Sequence, residues 1–311
     1  GQVECISYLG ELGANINFET PQGKLAIFEA VAAEQTVSVR ALYQASRKHN
    51  HESKAGETCL IAALDNNLPG MVKLLVELGE DLLYENKNGI TPLIFACMKG
   101  NVTMVQLLLS LIGGNVEQKS KKNKKKNDKA ARAIIATYRY GVSAFHIAVL
   151  GGRDSIPKLL LDSGGDAMLE NKHGHNLITL LCCDPTVLPI KALMGFETED
   201  DITLKALKWL VSLKVPVSQE PSSGIFPIHT AARYNRIDVN DLLLENGENI
   251  DVESASGKTA LTEAAQYGRL AAVRRLLSQG ARVDYMTSVN HTTALIAASR
   301  SGHSAIVEAL I

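Results

Sequence analysis

The side chains best suited to bind a metal or act as nucleophiles cluster at His173, His175, Cys182 and Cys183. The two histidines flank a turn glycine, Gly174. The two cysteines are adjacent, which does not fit the usual two-residue gap of a zinc pair. No metal site is expected there. His146 and His229 each stand alone, and no Ser or Cys is spaced to complete a nucleophile–base–orienter triad with either. His49 and His51 lie in the polar stretch "SRKHNHESKAG" and read as solvated. The glycines occur singly, without a phosphate-cradling run. The scattered carboxylates form no pair suited to acid–base work. The sequence therefore predicts no catalytic residue, no cofactor and no small-molecule substrate. One block does carry concentrated charge. Seven lysines fall within 119–129 against one acid, Asp128. Lys121, Lys122, Lys124, Lys125 and Lys126 are the candidate anion contacts. Such a block reads first as a solvated loop. The sharper readings are an anionic-lipid or nucleic-acid contact, or a nuclear import signal. No aromatic residue is interleaved for base stacking.

The elements that would position these residues follow one pattern. "GITPLIFACMKGNVTMVQLLL", starting at Gly89, reads as a short apolar helix, a glycine break and a second apolar helix. Related segments start at Gly23, Gly56, Gly141, Gly174, Gly224, Gly257 and His291, so the steps between starts are 33, 33, 52, 33, 50, 33 and 34 residues. A fixed period of this size is the mark of stacked repeats, in which each unit is covered only by its neighbours. The leading glycine supplies the positive φ of a tight turn. Thr at the helix start caps a free N–H, and Pro92 and Pro227 fit the first turn, where no N–H is needed. Leu93, Phe145, Ile228 and Leu261 are the expected core of the first helices. Met104, Leu107 and Leu108 are the expected core of a second helix.

The hexapeptides "TPLIFA" (91–96), "SAFHIA" (143–148), "FPIHTA" (226–231) and "TALTEA" (259–264), with "LLSQGARVD" and "YLGELGANIN", resemble the ankyrin repeat. The resemblance covers nearly the whole chain and implies an all-α solenoid of about eight helix-turn-helix units joined by β-turn fingers. It also implies that His146 and His229 bond to backbone between neighbouring units. The unit at Gly23 departs most: "KLAIFEA" lacks Thr and Pro, and Glu34 replaces the mid-repeat glycine.

Two insertions interrupt the period. Residues 119–140 should lengthen a finger, with "AARAIIATYRY" as a short helix. Residues 184–201 should lengthen the turn inside the unit at Gly174, with "ETEDD" as an acidic cap on the helix that follows. Trp209 falls on that helix's apolar face and reads as packing. The chain of 311 residues, with net charge −1, carries no global field favouring nucleic acid or membrane. Its five cysteines are odd in number. Cys59, Cys97, Cys182 and Cys183 take apolar helix positions, as free thiols in a reducing compartment would. A cytoplasmic location is expected, with a nuclear one as the alternative. No segment is apolar enough to span a membrane and none reads as a signal peptide. Residues 3–17 match a second helix without its first, and the last unit has no polar cap. The expectation is one domain over 1–311, monomeric, drawn from a longer protein.

The resemblance further implies that fingers and first helices line a binding groove. Its variable contact positions map to Lys87, Asn88, Ile90, Met98 and Lys99; to Val142 and Leu150; and to Lys172, His173 and His175. They continue through Ile225, Arg233 and Tyr234; Lys258, Gln266 and Tyr267; and Thr292 and Arg300. The set is basic and aromatic, which suits an acidic or aromatic-bearing peptide. Tyr234 and Tyr267 hold equivalent positions and are expected to approach each other. The leading expectation is a non-catalytic protein-interaction module, scaffold or targeting arm. The alternative is the regulatory or substrate-recruiting domain of an enzyme such as a kinase or protein acyltransferase.

Overall fold

The computed structural model describes residues 3–46, 50–117, 137–138, 142–151, 155–168, 170, 176–182, 200–215 and 224–311. The lysine block, His49, Lys172, His173, His175, Cys183 and residues 184–199 of the second insertion lie outside them. The sequence leads us to expect one array; the contacts divide the chain into two compact units, residues 1–165 and 166–311.

In the first unit, helix α1 (Val3–Glu11) precedes the pairs α2 (Ala26–Ala32) with α3 (Thr36–Ser46), α4 (Cys59–Asp65) with α5 (Pro69–Glu77), and α6 (Pro92–Lys99) with α7 (Val102–Glu117). The last pair is α8 (Ala144–Leu150) with α9 (Ser155–Asp162). First helices pack in sequence, α2 on α4, α4 on α6 and α6 on α8, while α1 packs on α3 in the row of second helices. In the second unit the pairs are α10 (Leu177–Leu181) with α11 (Asp200–Ser212), α12 (Pro227–Arg233) with α13 (Ile237–Glu245), α14 (Ala260–Gln266) with α15 (Leu270–Ser278), and α16 (Ala294–Ser301) with α17 (Ser304–Leu310). Here too α12 packs on α14 and α14 on α16, with α13, α15 and α17 stacked behind.

Local chemistry sets these boundaries. The side chains of Thr58, Thr91, Thr259 and Thr293 each accept a hydrogen bond from the N–H three residues on, at 3.2–3.3 Å. Leu25 and Phe226 hold the same position and offer no such bond. A missing cap of this kind costs ~1 kcal/mol. At the finger turns the glycine is needed twice over. Gly257 has φ +69°, and a Cβ there would meet the Val289 side chain of the next finger at 2.4 Å. The mid-repeat turn is left-handed whether or not the residue is glycine: Gly100, Gly268 and Gly302 share it with Glu34, Asn67 and Asn235, at φ 55°, 54° and 60°.

The expected core residues Leu93, Phe145, Ile228 and Leu261 are all buried. In α7, Met104 and Leu108 are buried as expected, but Val105 takes the third interior place and Leu107 is only half-buried. The periodic pattern alone does not separate the two. In the first insertion, Thr137–Tyr138 forms a strand, not the expected helix, and pairs antiparallel with Val142–Ser143. Helix α11 starts at Asp200, two residues before the expected start of its apolar run. Trp209 is half-buried on it beside the buried Ala206, Leu207 and Leu210.

A device invisible in the period ties the fingers together. Glu19, Glu52 and Glu253 each accept the backbone N–H of the residue 35 positions on, from Lys54, Lys87 and Ser288 respectively, at 2.8–3.1 Å. In each of these three fingers one carboxylate thus fixes the tip of the next.

Candidate functional site

The second unit holds a cleft of about 360 Å³ between the first helices α14 and α16 and the finger turn before α16. Lys258, Thr262, Gln266, Thr287, Asn290, Thr292, Ala297, Arg300 and Ser301 line it. Four of these, Lys258, Gln266, Thr292 and Arg300, are among the expected contact positions. The helices place Gln266 and Arg300 on their last turns, and the fingers place Lys258 and Thr292 one residue before each helix's capping Thr. The cleft is fixed from below. Thr262 donates to the Thr259 carbonyl at 2.8 Å, Asn290 Nδ2 donates to the Ser256 carbonyl at 2.6 Å, and the His303 ring bonds the Gln266 carbonyl at 3.0 Å.

Beside the cleft lies a charge cluster. The Arg233 guanidinium grips the Glu263 carboxylate with two bonds of 3.1 Å each. Lys258 Nζ approaches the same carboxylate at 3.5 Å. The Glu263 side chain is only 2% exposed, a burial that an ionised carboxylate tolerates only when paired. Burial works to lower the Arg233 pKa; its hydrogen bonds to Glu263 and that carboxylate's charge outweigh it and hold the value above the usual one. Arg233 also stacks over the Tyr267 ring, 5.0 Å from its centre, and its carbonyl accepts from Arg269 at 2.8 Å. Tyr234 and Ile225 are half-buried, and Tyr267 is 41% exposed. The sequence predicts Arg233 as a partner contact. The structure also makes it the counter-ion of a buried acid, and it is Arg233 that packs on the Tyr267 ring.

In the first unit the expected positions are more occupied by the protein itself. Lys99 pairs with Asp65 at 2.6 Å and lies 5.3 Å from the Phe95 ring centre. Lys87 donates through Nζ to the Ser53 carbonyl at 3.0 Å. Met98 is half-buried. Leu150 is 3% exposed, so it belongs to the interior and offers nothing to a partner. Its place before a glycine resembles a surface position, but the side chain is buried.

The histidines divide. His229 bonds the Val252 carbonyl of the following finger at 2.9 Å, as the resemblance implies. His146 instead closes a capping box on its own helix, its Nδ1 meeting the Ser143 N–H at 3.2 Å and hydroxyl at 2.6 Å. Its Nε2 has no partner among the described residues. Burial lowers both pKa values, that of His146 to about 4. His51 corrects the sequence reading outright. It is buried at 1% exposure, bonded to Ser46 at 3.0 Å and packed edge-on against Tyr43. Cys59, Cys97 and Cys182 are buried free thiols and Cys5 is exposed. Burial pushes the Cys97 thiol up to about 12 and raises Cys59 as well, which removes the thiolate that nucleophilic chemistry requires. Among the described residues, no group of three His, Cys, Asp or Glu is placed to hold a metal ion, and no helix is long and apolar enough to cross a membrane.

Sequence reasoning missed Glu263, Thr262 and Asn290. The signal for Glu263 was present: it is an acid inside "TALTEA", where other units carry Ile147, Thr230 and Ala297 at the same place.

The comparisons with known proteins agree with this architecture. The family described as ankyrin repeats (3 copies) matches at residues 39–122, 79–171, 200–287 and 228–311. The chain is 27% identical over 216 residues to the ankyrin repeat protein FPV018 of Fowlpox virus (strain NVSL), covering 65% of this chain and 28% of that protein. It is 25% identical over 170 residues to SH3 and multiple ankyrin repeat domains protein 2 of Homo sapiens, covering 54% and 8%. It is 24% identical over 221 residues to the B-cell lymphoma 3 protein homolog of Mus musculus, covering 64% and 44%. The chain thus spans less than half the length of each of these relatives. The family matches run through both units and include the helices that build the cleft, and on them the chain belongs to the ankyrin-repeat family.

Proposed function

We propose that the chain is a non-catalytic protein-interaction module, a scaffold or targeting arm, that holds a protein or peptide partner on the first helices and finger turns of its second unit. One observation carries this reading. The cleft beside α14 and α16 has a base pinned by internal hydrogen bonds, yet the Gln266 and Arg300 side chains on its wall have no intramolecular partner among the described residues. Ankyrin repeats are protein-interaction modules, and a fixed base with free polar tips is what recognition of another chain needs. The buried thiols support a reducing, cytoplasmic or nuclear, location.

The test uses a photo-crosslinking amino acid at Gln266, in the groove, and at Arg274, exposed on the second helix α15. Discrete protein adducts at position 266 but not at 274 are expected in extracts of the source cells. Adducts confined to position 274 would move the binding face to the other side.

A further inference from the structure

We propose that the cleft is a subsite for an anionic side chain of the bound peptide, with the Arg300 guanidinium as its principal ligand. The proposal rests on the groove reading above and adds the chemistry of the occupant.

The fold supplies its own template. Arg233, Gln266 and Arg300 hold equivalent places in successive repeats, 33 and 34 residues apart. At the first of them a carboxylate already sits in the guanidinium fork: Glu263 accepts from Arg233 Nε and an Arg233 terminal nitrogen, both at 3.1 Å. Arg300 presents the same fork on the wall of the cleft, exposed and without an ion pair among the described residues. A planar fork of this kind matches carboxylate or phosphate oxygens two at a time.

The remaining charge points the same way. Among the described residues, the only titratable ones lining the cleft are Lys258 and Arg300, both cations. Glu263 stands next to them, but Arg233 and Lys258 together bring two positive charges to its one negative charge. One positive charge is left over there, and Arg300 adds a second. Gln266 and Ser301 offer neutral donors around the same space. A peptide carboxylate or phosphate meets cations and donors on entry and displaces no existing salt bridge. At about 360 Å³ the cleft admits a side chain with part of its backbone.

The test screens four random peptide libraries against the full chain, with a central Glu, phosphoserine, Gln or Lys. Binders from the Glu or phosphoserine library, and none from the Gln or Lys library, are expected. Which of the two yields tighter binders tells carboxylate from phosphate as the natural source. Arg300→Gln should weaken a selected binder about tenfold, the scale of one charge-assisted pair, while the exposed Arg274→Gln leaves it unchanged. Both variants should melt with the parent. Binders from every library that a bulky Thr292→Trp abolishes but Arg300→Gln leaves unmoved would keep the groove and overturn the anionic subsite. Binders touched by neither variant, or none from any library, would overturn the groove reading and the subsite with it.

Discussion

Glu80 in the first unit and Glu248 in the second stand at the same place in their repeats. Each follows a turn glycine of positive φ, Gly79 at 98° and Gly247 at 91°. The N–H of each bonds the carbonyl five residues back, Leu75 and Leu243. Both side chains are buried, at 5% and 6% exposure. Their surroundings differ. The Glu80 carboxylate accepts from the Tyr43 hydroxyl and, at 2.8 Å, from the Asn50 N–H. Neither oxygen of Glu248 has a partner among the described residues, and burial pushes its carboxyl up to about 8. The reason lies in the preceding repeat. Thirty-seven residues before Glu80 is Tyr43, whereas the same step back from Glu248 reaches Val211. A repeat position has no fixed energetic sign. The neighbour decides whether a buried acid is satisfied or neutralised.

The largest expected effect comes from removing the neighbour. Tyr43→Phe leaves the buried Glu80 side chain without its hydroxyl donor, keeping only the Asn50 N–H among the bonds named above, and should cost about 2–3 kcal/mol, the scale of removing one partner from a buried acceptor. Denaturant titration at neutral pH reads it; a change below ~1 kcal/mol, the net worth of an ordinary hydrogen bond, would mean that the hydroxyl does not carry the carboxylate. Glu248→Gln should act in the opposite direction. Its folded pKa, about 8, lies above the ordinary 4.5. The folded state therefore favours the neutral acid. Its contribution is complete below pH 4.5 and is lost as pH rises toward 8. The Gln variant should gain about 2 kcal/mol at pH 8 and lose that dependence. Each tenfold change in acid strength between folded and unfolded chain is worth about 1.4 kcal/mol, and the Gln amide, itself buried without partners, gives part of the gain back. Melts from pH 5 to 8 that decline equally in both proteins would contradict the comparison.

The mid-repeat turn repeats the lesson on a smaller scale. Glu34 takes the left-handed conformation that Gly100, Gly268 and Gly302 adopt freely. Glu34→Gly should stabilise the first unit by ~1 kcal/mol, the cost of a Cβ in that region; thermal denaturation checks it. The smallest effect expected is on the cleft. Arg300→Gln should leave stability within ~0.5 kcal/mol, as exposed substitutions do. A larger loss in the same melt would give that guanidinium a structural role.

Much of the fold is legible in the sequence because the period, the capping Thr and the turn glycines act within a few residues of themselves. The Thr91 and Thr259 caps and the buried Leu93 and Leu261 follow from local rules. The unread features act across repeats. Whether His51 is solvated depends on Tyr43 and Ser46 closing over it. Whether Arg233 is free depends on an acid 30 residues on. Of the candidate site, Lys258, Gln266, Thr292 and Arg300 were readable as positions. The cleft they share was not, since it is a space between two repeats.

The assignment of the binding face is tested most directly by hydrogen exchange on the full chain, with and without a groove-selected acidic peptide. Slowed exchange confined to the last turns of α14 and α16 and to the finger around Thr292 is expected. Slowed exchange on the second helices α13 and α15, with those segments unchanged, would contradict it.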